Sequence, residues 1–245
     1  MQPNWLKQLQ QIPTIQQAGF IDCEKITAGN SNVSFKVNSQ AGTWVVRFNQ
    51  HQFGVNRLQE KLILDLIAPL NISPKVIDAN PEAGYLITAH SPKATWQQLN
   101  IHDSDSILEL ADSINRFHQI PYTYLPSRLD HRIDTYLKHI KNIPSELHQN
   151  IVQTVKVLQQ LGFWEACNTL YHSDLNSSNI LGNKSPLIID WEFAGQGHPL
   201  LDWLIMEHEH QLDLSAHYPV KINKQWLKPG KLLIADLMKL WALND

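Results

Sequence analysis

The sequence predicts an α+β fold in two parts, a small N-terminal lobe of antiparallel sheet with one helix and a larger, mostly helical C-terminal lobe. Three observations carry this. Runs rich in β-branched and aromatic residues, separated by turn residues, occupy most of the first ninety positions. A single stretch of helical apolar spacing interrupts them. After His90, Ser91 and Pro92 the apolar spacing becomes helical for most of the remaining chain. The boundary is therefore expected near residue 90, with lobes at 1–90 and 91–245.

The strands are expected at Asp22 to Ala28, Val33 to Asn38 and Thr43 to Phe48, with Ala41 and Gly42 turning the hairpin between the last two. Val55, Leu58, Leu62, Leu66 and Ile67 then recur at helical spacing, and Pro69 ends that helix. Lys75 to Asp78 and Tyr85 to Thr88 read as two further strands joined by the turn at 80–84. In the second lobe, Ile107, Leu108, Ala111, Ile114 and Phe117 form a helical stripe ending before Pro121. Helices are also expected at Arg128 to Ile140, at Ser145 to Leu161 with Ser145 as N-cap, and at Lys231 to Ala242. Pro229 and Gly230 are expected to break any helix before the last.

Composition narrows the function classes. Twenty basic residues against 23 acidic ones give a net charge of −3, so no basic excess exists to grip a nucleic-acid backbone. The first twenty residues hold no apolar core of a secretion signal and no stretch approaches membrane-spanning length, so a cytoplasmic protein without membrane contact is expected. Cys23 and Cys167 lie far apart and outside any metal-ligand spacing, which argues for reduced thiols. His208 and His210 in MEHEHQL point to different sides of a helix and make a poor metal pair.

The chemistry concentrates in Leu170 to Gly195, LYHSDLNSSNILGNKSPLIIDWEFAG. Ile180 and Leu181 form one short strand, Leu187 to Ile189 another, and 182–186 the turn. This hairpin lets His172, Asp174, Asn179 and Asp190 converge from loop and strand ends. A carboxylate for a hydroxyl proton and oxygen ligands for a divalent cation are what phosphoryl transfer asks of a protein.

The spacing HxDxxxxN from His172 to Asn179, with Asp190 eleven residues later, resembles the protein-kinase arrangement, and YHSDLNSSNIL followed by LIIDWEFAG resembles the aminoglycoside phosphotransferase and choline kinase superfamily. IDWEFAG is most similar to the choline, ethanolamine and thiamine kinase branches. The resemblance implies a protein-kinase-like two-lobed fold and an ATP- and magnesium-dependent (Mg2+) kinase of a small hydroxylated molecule. Asp174 would accept or orient the hydroxyl proton, His172 would brace the loop, and Asn179 and Asp190 would bind magnesium.

By the same resemblance Gly29, Asn30 and Ser31 would lie in a phosphate-covering loop between the first two strands. Arg47 in TWVVRF stands where a lysine is usual, with Glu60 as its partner on the next helix. Thr88, Ala89 and His90 would offer backbone groups to adenine, over Ile188 or Ile189. Phe117, His118 and Pro121 match a structural helix end.

The substrate half is expected after Asp190, where Glu192, Asp202, Glu207 and Glu209 meet no lysine or arginine before Lys221. Acidic groups with Trp191 and Trp203 suit a cationic ligand, an amino alcohol or thiamine better than a phosphosugar. Asp202 in HPLLDW also resembles the superfamily aspartate that holds the catalytic loop, so bracing competes with substrate binding there. About fifty residues follow Asp190, which implies a short substrate-binding part. A nucleotide- or amine-binding protein without catalysis is the alternative, drawn from Arg47 and that short part. Nothing in the sequence gives an oligomeric state.

Overall fold

A computed structural model describes residues 5–26, 32–50, 54–99, 101, 103–219 and 221–243. The chain divides into two compact units, one holding the described residues up to 50 with Arg57–Pro92, the other holding residues 54–56 and Lys93 onward. Among the described residues no helix is long and apolar enough to cross a membrane.

The first unit opens with two short helices that the strand-rich reading did not include, α1 (Trp5–Gln11) and α2 (Pro13–Gln17). Glutamines dilute their apolar content, yet Leu9 and Ile15 are fully buried and Ile12 nearly so. Pro13 fits the first position of α2, where no intrahelical N–H bond is needed. The strands β1 (Phe20–Ile26), β2 (Val33–Ser39) and β3 (Gly42–Phe48) follow, then helix α3 (Arg57–Ile67) and strands β4 (Val76–Asn80) and β5 (Tyr85–Ala89). They form one antiparallel sheet in the order β1-β2-β3-β5-β4. Val37, Val46 and Ile87 are wholly buried beneath α1 and α2, in a core shared with Phe35, Trp44 and Phe48.

Helix α3 corrects the sequence reading. Its buried face is Gln59, Glu60, Ile63, Leu64 and Ile67, while Leu58, Leu62 and Leu66 are about half exposed. Two apolar stripes run along this helix; of the positions read from periodicity Ile67 faces the core and Leu58, Leu62 and Leu66 face solvent. The winning face is the one that carries Glu60 toward Arg47. Pro69 ends the helix in a short 3-10 turn closed by Asn71 in the left-handed region, φ 54°.

The second unit contains α4 (Trp96–Leu99), α5 (Ser104–His118), α6 (Leu129–His139) and α7 (Ser145–Gln160), then β6 (Thr169–Tyr171), β7 (Ile180–Leu181), β8 (Leu187–Ile188) and β9 (Gly195–Gly197). Helices α8 (Pro199–His210) and α9 (Leu227–Trp241) complete it. Asp103 caps α5 by accepting from the Ser106 amide at 2.8 Å. Ser145 is the first helical residue of α7 and not its cap, because Pro144 occupies the cap position.

Helix α9 runs through Pro229 and Gly230, where a break was expected. Both lie in the first turn, and Pro229, at its third position, falls where an amide has no intrahelical acceptor, so proline costs no hydrogen bond there. Gly230 lets α9 approach α8, since a Cβ at that position would fall 2.7 Å from Leu204 Cδ1. The packed helices α7, α8 and α9 bury Leu158, Leu204, Leu233 and Leu237 in the main core of this unit.

Candidate active site

Two small antiparallel pairs hold the segment from Leu170 to Gly195, β7 with β8 and β6 with β9. Ile180 and Ile188 are fully buried, as are Leu170 and Tyr171, so the strands anchor in the core; between them His172, Ser173 and Asn179 are buried while Asp174, Asn176, Ser177 and Ser178 reach solvent. Three non-glycine residues within this segment hold a left-handed backbone, Ser173 at φ 74°, Ser185 at φ 43° in the turn between β7 and β8, and Asp190 at φ 64°. Such conformations cost on the order of 1–3 kcal/mol each and persist only where surrounding contacts impose them.

Asp202 supplies many of those contacts. Its carboxylate accepts the His172 amide at 2.8 Å, the Ser173 amide at 2.8 Å and His118 Nε2 at 2.9 Å. The side chain is 0% exposed, so no face of it remains for a substrate. Bracing, one of the two readings for Asp202, is what its geometry serves. His118, at the end of α5, thereby joins the brace.

The partners of His172 settle its tautomer. Nε2 lies 3.0 Å from the Ile189 carbonyl oxygen, which can only accept, so Nε2 carries the proton. Nδ1 accepts from the Asp174 amide at 3.2 Å. Complete burial lowers this ring to about 4, with the Asp202 charge acting in the opposite direction, so it is neutral at pH 7. Trp191 packs edge-on against it with centroids 4.6 Å apart and donates its indole N–H to the Ile188 carbonyl at 3.0 Å.

Asp174 faces the other way and is partly exposed. Asn176 Nδ2 donates to Oδ1 at 3.0 Å and Asn179 Nδ2 donates to Oδ2 at 2.8 Å. Burial pushes this carboxyl up to about 7; the two asparagine bonds oppose the rise, and the charges of Glu192 and Glu209 add to it. A carboxylate poised near neutrality is suited to taking a proton.

Asn179 spends both amide hydrogens on Asp174, one on the carboxylate and one on the backbone carbonyl at 2.9 Å. That orients its Oδ1 as the oxygen available to a cation. Carboxylate oxygens of Asp190 and Glu192 lie within 4.8 Å of each other. Those two carboxylates are oxygen donors of the kind that suits a hard divalent ion such as magnesium.

In the first unit Arg47 Nη2 donates to both oxygens of Glu60, at 2.7 and 2.6 Å, and Arg57 Nη1 reaches the same carboxylate at 3.1 Å. Arg57 Nη2 also donates to Asn32 Oδ1 at 3.0 Å. Gly29, Asn30 and Ser31 lie outside the described residues. The amides of Ala89 and His90 donate within the sheet, to Lys75 O at 2.8 Å and Thr43 O at 3.0 Å, and Thr88 pairs with Val45 and Val76. Donation to a base from Ala89 or His90 would therefore require leaving these bonds.

The tryptophans assigned to the substrate are interior. Trp191 and Trp203 are each 1% exposed, Trp203 stacked on His217 at 5.4 Å, so neither offers an aromatic face to a ligand. Glu192 is 4% exposed and sits on the 3-10 turn after Asp190.

Sequence reasoning missed Arg132. Its guanidinium donates to Phe193 O at 2.5 Å, to Tyr171 Oη at 2.9 Å and to Ser173 Oγ. A signal was present, because Leu129, Arg132, Ile133 and Tyr136 share the buried face of α6 at spacings of three and four.

The profile of the phosphotransferase enzyme family matches residues 22–213, most of the chain and all of the catalytic segment. The chain belongs to that family. No curated protein sequence matches this phosphotransferase. Among solved structures, choline kinase LicA from Streptococcus pneumoniae is similar with a TM-score of 0.72 at 18% identity, over 98% of this chain and 90% of that one. A choline/ethanolamine kinase family protein from Mesorhizobium loti gives 0.67 at 18% identity, over 97% and 82%. A thermostable mutant of aminoglycoside phosphotransferase APH(4)-Ia gives 0.65 at 16% identity, over 94% and 90%. These likenesses establish the protein-kinase-like fold for this phosphotransferase.

Proposed function

We propose that this phosphotransferase moves the γ-phosphate of ATP onto the hydroxyl of a small cationic acceptor of the choline, ethanolamine or thiamine type, with magnesium as its metal ion. The observation that carries the reading is the Asp174 carboxyl, held by Asn176 and Asn179 and raised to about 7. Asp174 takes the acceptor's hydroxyl proton as the new oxygen–phosphorus bond forms and the bond to ADP breaks. His172 and Asp202 keep the loop in register throughout. Asn179 Oδ1 and the carboxylates of Asp190 and Glu192 are the oxygens that would hold magnesium, whose contribution when bound is to neutralise phosphate charge. Arg47, kept in place by Glu60, is the cation for the nucleotide phosphates.

The preference for a cation rests on carboxylates, since the tryptophans are buried. Glu192 and Glu209 both lie near enough to Asp174 to raise its carboxyl, so the acceptor's hydroxyl arrives in a negative field. Similar structures of a choline kinase and an ethanolamine kinase support the amino-alcohol class, and another similar structure is an aminoglycoside phosphotransferase in complex with ADP and hygromycin B.

The test is phosphate transfer from ATP with magnesium over choline, ethanolamine, thiamine, an aminoglycoside and a neutral alcohol. Transfer to a cationic acceptor is expected, with Glu209→Gln lowering kcat/KM for it about tenfold and leaving the neutral alcohol within twofold. Nucleotide binding without transfer across the panel would move the reading to a binding protein, the alternative that Arg47 in place of lysine supports.

A further inference from the structure

We propose that Arg132 is a positioning residue for phosphoryl transfer, a cross-link that fixes the loop bearing Asp174 against the turn that follows Asp190. The proposal rests on the reading of this site as a phosphotransferase centre with Asp174 as base and Asp190 as metal ligand.

Arg132 projects from the buried face of α6 and is 3% exposed. One end of its fork holds the catalytic loop, through Ser173 Oγ and through the Tyr171 hydroxyl at 2.9 Å. The other holds the Phe193 carbonyl at 2.5 Å, three residues beyond Asp190. The guanidinium is planar and rigid, so these two ends cannot move independently. Its carbon also lies 5.8 Å from the Tyr171 ring centroid and 5.7 Å from that of Phe193, which closes both aromatic rings around the same group.

Arg132 grips one left-handed residue directly, Ser173, and holds the chain three residues beyond another, Asp190. Ser173 is at φ 74° and Asp190 at φ 64°. Asp202 restrains Ser173 through its amide, on the side of α8, while Arg132 restrains the same residue through its hydroxyl, from α6. Only Arg132 then continues to the segment after Asp190. A conformation that would otherwise relax is thus held from two helices, and Arg132 adds a tie beyond Asp190 to the one His172 makes before it, at the Ile189 carbonyl.

The choice of a cation is itself informative. Among the described residues all three hydrogen bonds of Arg132 go to neutral oxygens, and its buried Nε meets no hydrogen-bond partner. A buried charge bonded in this way contributes little as a structural ion pair. It does span two segments with one inflexible group, which no neutral side chain of the same length can do.

The experiment compares the wild type with Arg132→Met, Arg132→Lys and Ser173→Ala. Hydrogen exchange is measured across residues 171–175 and 191–194, alongside nucleotide affinity and steady-state transfer. Arg132→Met is expected to speed exchange in both segments together, to lower kcat about 10- to 100-fold, and to leave nucleotide affinity within about threefold. Lysine, which can reach one end but not both, should protect one segment and recover part of kcat. Exchange that rises only in α6, or kcat and nucleotide affinity falling in the same proportion, would show a packing role and overturn the proposal. If Arg132→Met does not fold, Ser173→Ala removes one of the two bonds at the loop end of the link without touching the buried charge, and must speed exchange at 171–175 for the proposal to stand. A wild type that transfers no phosphate to any acceptor would fail the functional reading, while the paired exchange of the two segments would still decide whether the cross-link exists.

Discussion

Each unit buries a carboxylate that organises its neighbours, and the two differ in what they hold. Glu60 in the first unit accepts from the guanidinium groups of Arg47 and Arg57, whose side chains keep 11% and 14% of their surface in solvent. Asp202 in the second accepts from two consecutive backbone amides and from His118, with no surface in solvent at all. One carboxylate holds two cations that keep some surface in solvent; the other fixes the path of the main chain. A site that must meet a phosphate can use the first arrangement, because an incoming anion can share the cations. A loop that must hold a left-handed residue at Ser173 needs the second.

The largest expected effect follows from that contrast. In Asp202→Asn one oxygen is replaced by an NH2 group that must face a backbone N–H or the imidazole N–H, leaving a buried donor without an acceptor. The loss should be about 3–5 kcal/mol of unfolding free energy. Glu60→Gln should cost less, about 1–3 kcal/mol, since water can reach the guanidinium groups it leaves. Urea denaturation of both variants checks the order, and an equal loss would mean that the two carboxylates do the same work.

The contrast also explains what could be read from the sequence. His172, Asp174, Asn179 and Asp190 lie within nineteen residues on one hairpin, so their convergence is a local property that spacing reveals. Arg132 reaches the same loop from α6, about forty positions earlier, and only the fold brings it there. Its one local trace is a charge on an apolar helix face, the same trace that Glu60 leaves on α3. That trace was obscured on α3 by the competing stripe of Leu58, Leu62 and Leu66. The tryptophans misled for a related reason: composition shows an aromatic residue beside an acidic one, but not that Trp191 packs on Phe117 and His172. Pro229 was read as a break because its effect depends on the helical turn it occupies.

Acid should act on the second unit through its buried imidazoles. Besides His172, His198 caps α8, its Nδ1 accepting from the Leu200 amide at 3.1 Å between the rings of Phe163 and Trp226. Burial lowers it to about 4, with the charge of His118 adding to the effect. Both rings are held neutral by the fold and have an ordinary value of 6.5. Their contribution is therefore complete above pH 6.5 and is lost as the pH falls through about 4, at about 3 kcal/mol for each ring. Denaturation midpoints at pH 7, 5.5 and 4.5 should fall steeply. His198→Asn keeps a capping oxygen without a titrating ring and should flatten the slope, and an unchanged slope would remove His198 from the account.

Asp174 is the carboxylate that neither arrangement satisfies, and it provides the smallest and most specific test. Its partners are two asparagine amides, with no cation among its hydrogen bonds, and burial raises it from an ordinary 3.8 to about 7. The folded chain thus binds this proton more tightly than the unfolded chain does. Its contribution favours folding below pH 3.8 and is lost as the pH rises through about 7, so the ionised group opposes folding at pH 8. Asp174→Asn, permanently neutral, should gain about 1–2 kcal/mol on the wild type between pH 5 and pH 8, while transfer falls at least a hundredfold. Stability curves at the two pH values read the gain directly. A variant that lost transfer without the pH-dependent gain would keep Asp174 in the reaction but deny that its carboxyl is held near neutrality by burial.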